Sequence, residues 1–308
     1  MTKPVISIGA ALVDELFHAT DAVFTAAPSP ATVTKTAGGV SRNIAHQLSL
    51  FGVPVQLISA VGNDSDGDWL RQVCAEAGVL MDGMIIRDGL SGKYTGILDA
   101  DGSLYTAFLT NASIHLITPE HLQKNRDLLS TAAYLLADAN ISRESIEWLL
   151  AFSNETGIPF IIEPVSVPPA RKLKDIDLRG LHLVTPNEDE IPAICSEKAF
   201  FTQQQVEELL GRGVHQIWLH KGQHGSALYS REQTITLPAP DIEVVDCTGA
   251  GDGSLTGFIL GKYLGLPDEG CLKLAHTLSA EILQVHGANA PHLDQEQLLN
   301  LVHKYYPA

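Results

Sequence analysis

Basic residues, cysteines and long apolar runs are scarce in this chain of 308 residues. The chain has 20 Lys and Arg against 36 Asp and Glu, a net charge of −16. Such a balance excludes a general nucleic-acid binder, which needs clustered positive charge. It does not exclude a nucleotide site, because a glycine nest and Mg²⁺ can hold a triphosphate inside an acidic protein. No apolar run is long enough to span a bilayer, so we expect no membrane partner.

The four cysteines are scattered without metal-ligand spacing, which favours reduced, cytosolic thiols. The N-terminal residues lack the regions of a signal peptide, and we expect a cytoplasmic protein. The length fits one large α/β domain or two small ones. Because no repeat, low-complexity tract or interdomain linker is present, a single domain over 1–308 is predicted.

Apolar segments of strand length alternate with segments of helical spacing along most of the chain. The first strand is predicted at 5–10, and the first helix begins at Ser41 or Asn43 and ends before Gly52. Further strands are predicted at 55–61, 133–137, 159–162, 181–184 and 216–220, and helices at 66–77, 142–153 and 202–210. This alternation favours a three-layer α/β/α fold with a mostly parallel sheet.

Two segments break the alternation and predict a separate small sheet. One lies within 12–36 and has strand-like patches among Ala, Thr, Ser and Pro. The other, 92–109, has the pattern of a hairpin with Asp101-Gly102 in its turn. A plain protruding hairpin is the alternative interpretation.

The segment Asp246-Cys-Thr-Gly-Ala-Gly-Asp252 carries the strongest chemical signal. It lies between a strand-like stretch at 242–245 and an apolar stretch with helical spacing at 253–264. Gly249 and Gly251 let the backbone approach an oxyanion, and a helix N-terminus favours negative charge. Asp252 would stand beside this anion hole as a base, which is the minimum equipment for phosphoryl transfer. A glycine-rich turn with Asp252 as a helix cap is the alternative.

This segment resembles the second signature of the ribokinase-type (PfkB) sugar and nucleoside kinases. The first signature is matched by Gly38-Gly-Val-Ser-Arg-Asn43-Ile-Ala, and further motifs follow in the family's order at 186–190, 221–225 and 287–289. The similarity covers essentially the whole chain. Within the family, 38–48, 137–142 and 163–166 most resemble pseudouridine kinases.

The resemblance implies a ribokinase-like fold whose small sheet, formed by about 12–36 and 90–112, is a lid over the acceptor and often a homodimer surface. A kinase must keep water from its acceptor site, which favours the lid over a plain hairpin. The resemblance also implies that Asp252 is the general base. The N–H groups of Gly249, Ala250 and Gly251 would form the anion hole.

For the acceptor, the resemblance implies that Asp14, Gly38, Gly39 and Asn43 hold a sugar or nucleoside. A carboxylate and an amide suit a vicinal diol, because one accepts hydrogen bonds and the other both donates and accepts. Asn43 would otherwise be a helix cap. Leu12 departs from the family, since many relatives have Asn there, and this leaves the exact acceptor open.

Asp138 ends a predicted strand, and ligands of α/β sheets bind at the carboxyl ends of strands. It is therefore a further candidate for contact with the acceptor, although an ordinary strand-end turn is nearly as good an interpretation. Glu163 ends another strand in a similar way, where relatives usually have Asp.

For ATP and Mg²⁺, the resemblance implies roles for two loops. Asn187 and Glu190 would help to place phosphate and Mg²⁺ through water, which suits an ion that keeps several waters. An acidic first helical turn is the alternative there. Lys221, Gly222 and Gly225 would contact the phosphates and ribose of ATP, in a loop that is also a β-turn.

Two further elements of the site rest on the resemblance alone. Ala288 and Asn289 would lie near the adenine. Asp246 and Thr248 would take part in a monovalent cation site, with K⁺ as the expected ion. Cys247 replaces the commoner Thr there, which leaves activation by K⁺ open.

The leading hypothesis is therefore an ATP-dependent kinase that phosphorylates the hydroxymethyl group of pseudouridine, with ribose or another nucleoside next. A second hypothesis is a non-catalytic paralogue that binds a sugar or nucleotide. A dehydrogenase is disfavoured, because Gly9-Ala-Ala-Leu-Val-Asp14 follows the first strand instead of G-x-G-x-x-G.

Overall fold

The computed structural model of the chain describes residues 2–24, 27–195, 200–285 and 293–307. The strands are β1 Val5–Ile8, β2 Leu12–Ala19, β3 Ala31–Gly38, β4 Val55–Ile58, β5 Ala60–Gly62, β6 Ile85–Arg87, β7 Gly92–Leu98, β8 Leu104–Thr110, β9 Tyr134–Asp138, β10 Phe160–Glu163, β11 Leu183–Val184, β12 Gln216–His220, β13 Ser226–Tyr229 and β14 Thr234–Leu237. The helices are α1 Val40–Leu50, α2 Ser65–Glu76, α3 Pro119–Lys124, α4 Arg126–Leu129, α5 Arg143–Thr156, α6 Val167–Ala170, α7 Ile191–Ile194, α8 Gln203–Gly211, α9 Ala250–Tyr263, α10 Asp268–Leu283 and α11 Gln295–Tyr305.

An eight-stranded sheet forms the middle layer, in the order β14-β13-β12-β11-β10-β9-β1-β4. The strands from β4 to β12 are parallel, and β13 and β14 continue the sheet antiparallel at one edge. Along β1, Ile6 and Ile8 face one apolar cluster with α5 and α8, whereas Val5 faces another with α1, α9 and α10. Both faces of the sheet are thus covered, and the predicted three-layer fold is confirmed.

A separate four-stranded sheet, β3-β2-β7-β8, lies outside the main layer and confirms the predicted small sheet. The turn between β7 and β8 is the predicted one, with Gly102 at φ 84°. Helix α2 holds this small sheet to the main body through Asp66, whose carboxylate pairs with Lys35 of β3 at 2.5 Å and Lys93 of β7 at 3.2 Å.

Helix α9 packs unusually close to α10. Its glycines recur every fourth residue, and a Cβ at Gly257 would lie 2.7 Å from the Cα of Ala275, while one at Gly261 would lie 2.9 Å from the Cα of Cys271. Only glycine, which has no Cβ, allows the two helices to come this close. The contact fixes α9, and with it the segment at its N-terminus.

Two predicted strands need correction. The stretch 242–245 is not a strand: Val244 and Val245 are each half exposed, and the N–H of Val245 donates to Leu283 O at the end of α10. The stretch 55–61 is divided at Ser59 into β4 and β5, and β5 pairs with β6 in a two-stranded sheet. No helix within the described ranges is long and apolar enough to cross a membrane.

Candidate active site

A cleft of about 970 Å³ opens at the N-terminus of α9. Gly249 is the residue before the helix, with φ 78°, a left-handed conformation that favours glycine. Asp252 is the third residue inside the helix, so the interpretation of Asp252 as a helix cap is wrong. The residues predicted from the sequence that line the cleft are Asn187, Glu190, Gly222, Gly225, Gly249, Ala250, Gly251 and Asp252.

The first turn of α9 presents backbone donors to this cleft. The first N–H groups of any helix lack partners within the helix, and the macrodipole gives that end partial positive charge. A Cβ at Gly251 would meet no atom within 4 Å, so the space beside this turn is open. A helix start with open space beside it is able to receive an anion.

Asp252 is half-buried, and its carboxylate is tied to α1. The Asn43 amide donates a hydrogen bond from Nδ2 to Oδ2 of Asp252 at 2.6 Å. Burial raises the pKa of Asp252 to about 7, and the negative charges of Asp138 and Asp14 act in the same direction. The bond from Asn43 and the positive charge of Arg42 oppose this rise. A carboxylate with a pKa near 7 is a better base than an ordinary aspartate.

Asp14, Gly38, Gly39 and Asn43 converge on the same side of the site. A Cβ at Gly38 would lie 2.1 Å from Oδ2 of Asp14, so the carboxylate rests directly on the glycine backbone. Gly39 precedes α1 with φ 94°, which makes it, and not Asn43, the cap position of that helix. Burial raises the pKa of Asp14 to about 6, against the opposing charge of Arg42.

Asp138 is fully buried, and both its oxygens accept backbone hydrogen bonds. Oδ2 accepts from the N–H of Ala10 at 2.8 Å and of Ser41 at 3.1 Å, and Oδ1 accepts from the N–H of Asn140 at 3.0 Å. Asp138 thus joins the end of β1 to the start of α1. Because Asp138 has no exposed surface, it would contact an acceptor only if the backbone around it moved.

Asn187 and Glu190 bind each other across a tight turn before α7. The N–H and Nδ2 of Asn187 donate to the two carboxylate oxygens of Glu190 at 3.0 and 2.9 Å. Asn187 Oδ1 in turn accepts from the N–H of Glu190 at 2.9 Å, the reciprocal pattern of a capping box. Burial raises the pKa of Glu190, and the bonds from Asn187 oppose this rise.

Of the loop predicted to contact ATP, the glycines line the cleft and Lys221 does not. The Nζ of Lys221 lies 5.9 Å from the ring centroid of Phe201, a cation–π contact that directs the side chain elsewhere. Gly225 has φ 88°, and a Cβ there would lie 2.1 Å from Leu237 O. The loop is thus a tight turn that only glycine permits at this position.

The predicted monovalent cation site is described only in part. One oxygen of Asp246, Oδ1, accepts from the N–H of Thr248 at 2.8 Å. Ala288 and Asn289, predicted to lie near the adenine, fall outside the described residues.

The sequence pattern contains no signal that marks Arg42 or Val165 as site residues, and only a weak one for Glu163. Arg42 is fully buried between β3 and Asn43, although an arginine in a sequence is ordinarily a surface residue. Glu163 lines the cleft, and burial, with the charge of Glu190 next, raises its pKa well above the ordinary value. Its Oε2 accepts at 2.6 Å from the N–H of Val165, which has φ 72° despite its branched side chain. The strand-end position of Glu163 was the only available signal.

The family described as pfkB family carbohydrate kinase matches residues 2–295. The pseudouridine kinase of Escherichia coli (strain K12) is 29% identical over 307 residues, which cover 97% of this chain and 96% of that protein. An uncharacterized sugar kinase of the same organism is 30% identical over 281 residues, 90% of this chain and 77% of that protein.

Among solved structures, Arabidopsis thaliana ribokinase complexed with ribose and ATP has a TM-score of 0.86 at 23% identity and covers 98% of this chain and 99% of that chain, so the two share a fold. From the family match over residues 2–295, the chain belongs to the pfkB family of carbohydrate kinases and is an ATP-dependent sugar or nucleoside kinase.

Proposed function

We propose that this enzyme transfers the γ-phosphate of ATP to the hydroxymethyl group of a nucleoside, with pseudouridine as the acceptor. The observation that carries the proposal is the hydrogen bond between Asn43 and Asp252. It joins the motif expected to hold the acceptor to the helix start expected to hold the phosphate. The proposed base, the residue proposed to bind the acceptor and the proposed anion site thus lie next to one another.

In the proposed reaction, Asp252 accepts the proton of the acceptor hydroxyl while that oxygen attacks the γ-phosphorus. The bond between the γ-phosphorus and the bridging oxygen to the β-phosphate breaks, and ADP leaves. The N–H groups of Gly249, Ala250 and Gly251 stabilise the negative charge on the phosphoryl oxygens. Protonated Asp252 afterwards returns its proton to water.

Asp14 and Asn43 orient the acceptor in this proposal. The half-buried carboxylate of Asp14 accepts hydrogen bonds from sugar hydroxyls, and Gly38 and Gly39 let the ring lie against the backbone. Asp138 holds the backbone beneath them through its three bonds to N–H groups. Gly222 and Gly225 line the side of the cleft on which ATP would bind.

The cleft suits Mg²⁺ bound with the triphosphate. Glu190 lines the cleft, and its carboxylate would hold the ion through water, because within the described ranges no group of three metal-ligating side chains converges. Bound there, Mg²⁺ supplies positive charge that neutralises the phosphates. Asp246 and Thr248 would hold K⁺ in the same way as their family counterparts. Turnover measured with and without K⁺ tests this site separately.

The choice of pseudouridine is supported by likeness to relatives. The Escherichia coli protein that matches 97% of this chain is a pseudouridine kinase, and so is an Arabidopsis thaliana protein 27% identical over 214 residues. Ribokinase of Bacillus subtilis (strain 168) also matches, at 23% identity over 268 residues. Ribose or another sugar is therefore the alternative acceptor.

We propose that the small sheet is a lid over the acceptor and also the contact surface of a homodimer. Leu104, Phe108 and Leu109 of β8 are each more than half exposed, as is Val33 of β3. Exposed apolar side chains on an edge strand mark a surface for association, and a second copy offers the same surface about a two-fold axis.

A kinase that consumes ATP is expected to act in the cytoplasm, where ATP is made.

The acceptor is tested by coupled ATP consumption with Mg²⁺ and K⁺ across pseudouridine, uridine, ribose and fructose, with mass spectrometry of the product. We expect turnover on pseudouridine and a product heavier by one phosphoryl group. Turnover on ribose alone would keep the kinase and refute the nucleoside. Silence on every acceptor, with binding of one of them retained, would favour the non-catalytic paralogue.

A further inference from the structure

Arg42 is the second feature that ties α1 to the active site, and it has no exposed surface. Its NH2 group donates to the carbonyl of Ala37 and to Oδ1 of Asn43, and its Nε donates to Gly38 O at 3.3 Å. Ala37 and Gly38 are the last residues of β3, where the small sheet joins the main body. The guanidinium therefore bonds the end of the small sheet and the acceptor amide at once.

The chemistry of the guanidinium fixes the orientation of the amide. An arginine side chain only donates hydrogen bonds, so the group of Asn43 that faces it must be the oxygen. The amide nitrogen of Asn43 then has to face Asp252, where it donates at 2.6 Å. Without Arg42 the amide is free to rotate, and this bond to the base loses its support.

Charged groups from several elements face this arrangement. Four charged groups act on Asp252. One is the guanidinium of Arg42 on α1, and the others are the carboxylates of Asp14 on β2, Asp138 on β9 and Glu163 on β10. Arg42 itself also faces Cys74 of α2 and His46 of α1. Its positive charge lies among carboxylates that would otherwise repel one another.

We propose that Arg42 is a positioning residue of the phosphoryl transfer, which orients the Asn43 amide toward Asp252 and supplies positive charge near this base. The inference rests on the proposed role of Asp252. Arg42 itself has no exposed surface with which to contact the acceptor or ATP. Its contribution passes through Asn43 and through its charge.

The test uses Arg42→Lys and Arg42→Met in the full chain, with Arg212→Lys as a matched control. Arg212 also donates to three backbone carbonyls, those of Leu173, Ile176 and Ile194, and none of these belongs to α1 or to the segment 246–252. We expect Arg42→Met to lower kcat at pH 7 by about 10- to 100-fold and to move the acid limb of the pH profile up by about one unit or more. Arg42→Lys keeps the charge and should shift the limb less.

A second readout does not depend on turnover. The carboxyl of Asp252 can be titrated by ¹³C NMR with labelled aspartate, its signal being identified by its loss in Asp252→Asn. We expect its midpoint to rise in Arg42→Met and to stay unchanged in Arg212→Lys.

Each outcome decides a different point. An unchanged midpoint in folded Arg42→Met, as judged by circular dichroism, would overturn the inference. Loss of stability alone, equal in Arg42→Lys and Arg212→Lys, would reduce Arg42 to a structural residue. A shifted midpoint in a protein that turns over no acceptor would sustain the electrostatic role and refute the proposed reaction.

Discussion

Replacement of Asp252 by Asn is expected to make the folded protein more stable, and the gain should grow with pH. Burial raises the pKa of Asp252 to about 7, far above the value of an unfolded aspartate. Below both pKa values the carboxyl is protonated in both states and costs nothing. As the pH rises from about 4 to 7, the unfolded chain ionises first, and ionisation therefore favours unfolding. The penalty levels off about one pH unit above the folded pKa, near pH 8.

The size of the effect follows from linkage. A shift of about three pKa units corresponds to about 4 kcal/mol above pH 7, and to roughly 1.7 kcal/mol at pH 5. The amide of Asn is neutral at every pH and can still accept the bond from Asn43 through its oxygen. The stability difference between Asp252→Asn and the parent should thus rise by about 2.5 kcal/mol between pH 5 and pH 8.

Urea unfolding of both proteins at pH 5, 6, 7 and 8 measures this difference. Asp177→Asn is the matched control, because Asp177 is exposed and its hydrogen bonds and ion pair with Arg179 lower its pKa, the opposite direction. No gain with pH is expected there. If Asp252→Asn is equally or less stable than the parent at pH 8, Asp252 is not a destabilised, desolvated carboxylate, and the argument for a tuned base fails.

Three further predictions follow from the same structure. Alkylation of Cys247, the exposed cysteine that lines the cleft, should block turnover. ATP should slow the modification, which mass spectrometry follows. Full activity after complete labelling would show that ATP does not bind beside Cys247. Gly257→Val should destabilise the protein by about 1–3 kcal/mol in urea unfolding, because its side chain collides with the backbone at Ala275, and an unchanged midpoint would contradict the close helix contact. Asp66→Asn removes a carboxylate that pairs with Lys35 and Lys93 of the small sheet, so ATP hydrolysis without acceptor should rise severalfold. An unchanged rate would argue against a water-excluding lid.

The parts of the site that are local in sequence were predictable. Gly249 and Asp252 belong to one short segment whose glycines and acid indicate a helix start without knowledge of the fold, and α9 begins there. The three-layer fold was predictable for a similar reason, because the apolar segments of a parallel sheet are continuous. Both depend on residues that are neighbours along the chain.

The parts that depend on distant contacts were not predictable. The stretch 242–245 has the composition of a strand, but its N–H group at Val245 bonds to Leu283 at the end of α10, and tertiary contact overrides propensity. Arg42 is buried only because β3 and α1 bring carbonyls and the Asn43 amide to it. The raised pKa of Asp252 likewise arises from burial and from carboxylates far away in sequence.

Turnover by Asp252→Asn on the acceptor that the parent enzyme phosphorylates tests directly whether Asp252 is the general base. Calorimetry measures the binding of acceptor and ATP beside it. We predict a loss in kcat of about 10²- to 10⁴-fold, the usual contribution of a general base, with both dissociation constants within a few-fold of the parent. Turnover within a few-fold of the parent would contradict the assignment of Asp252 as the base.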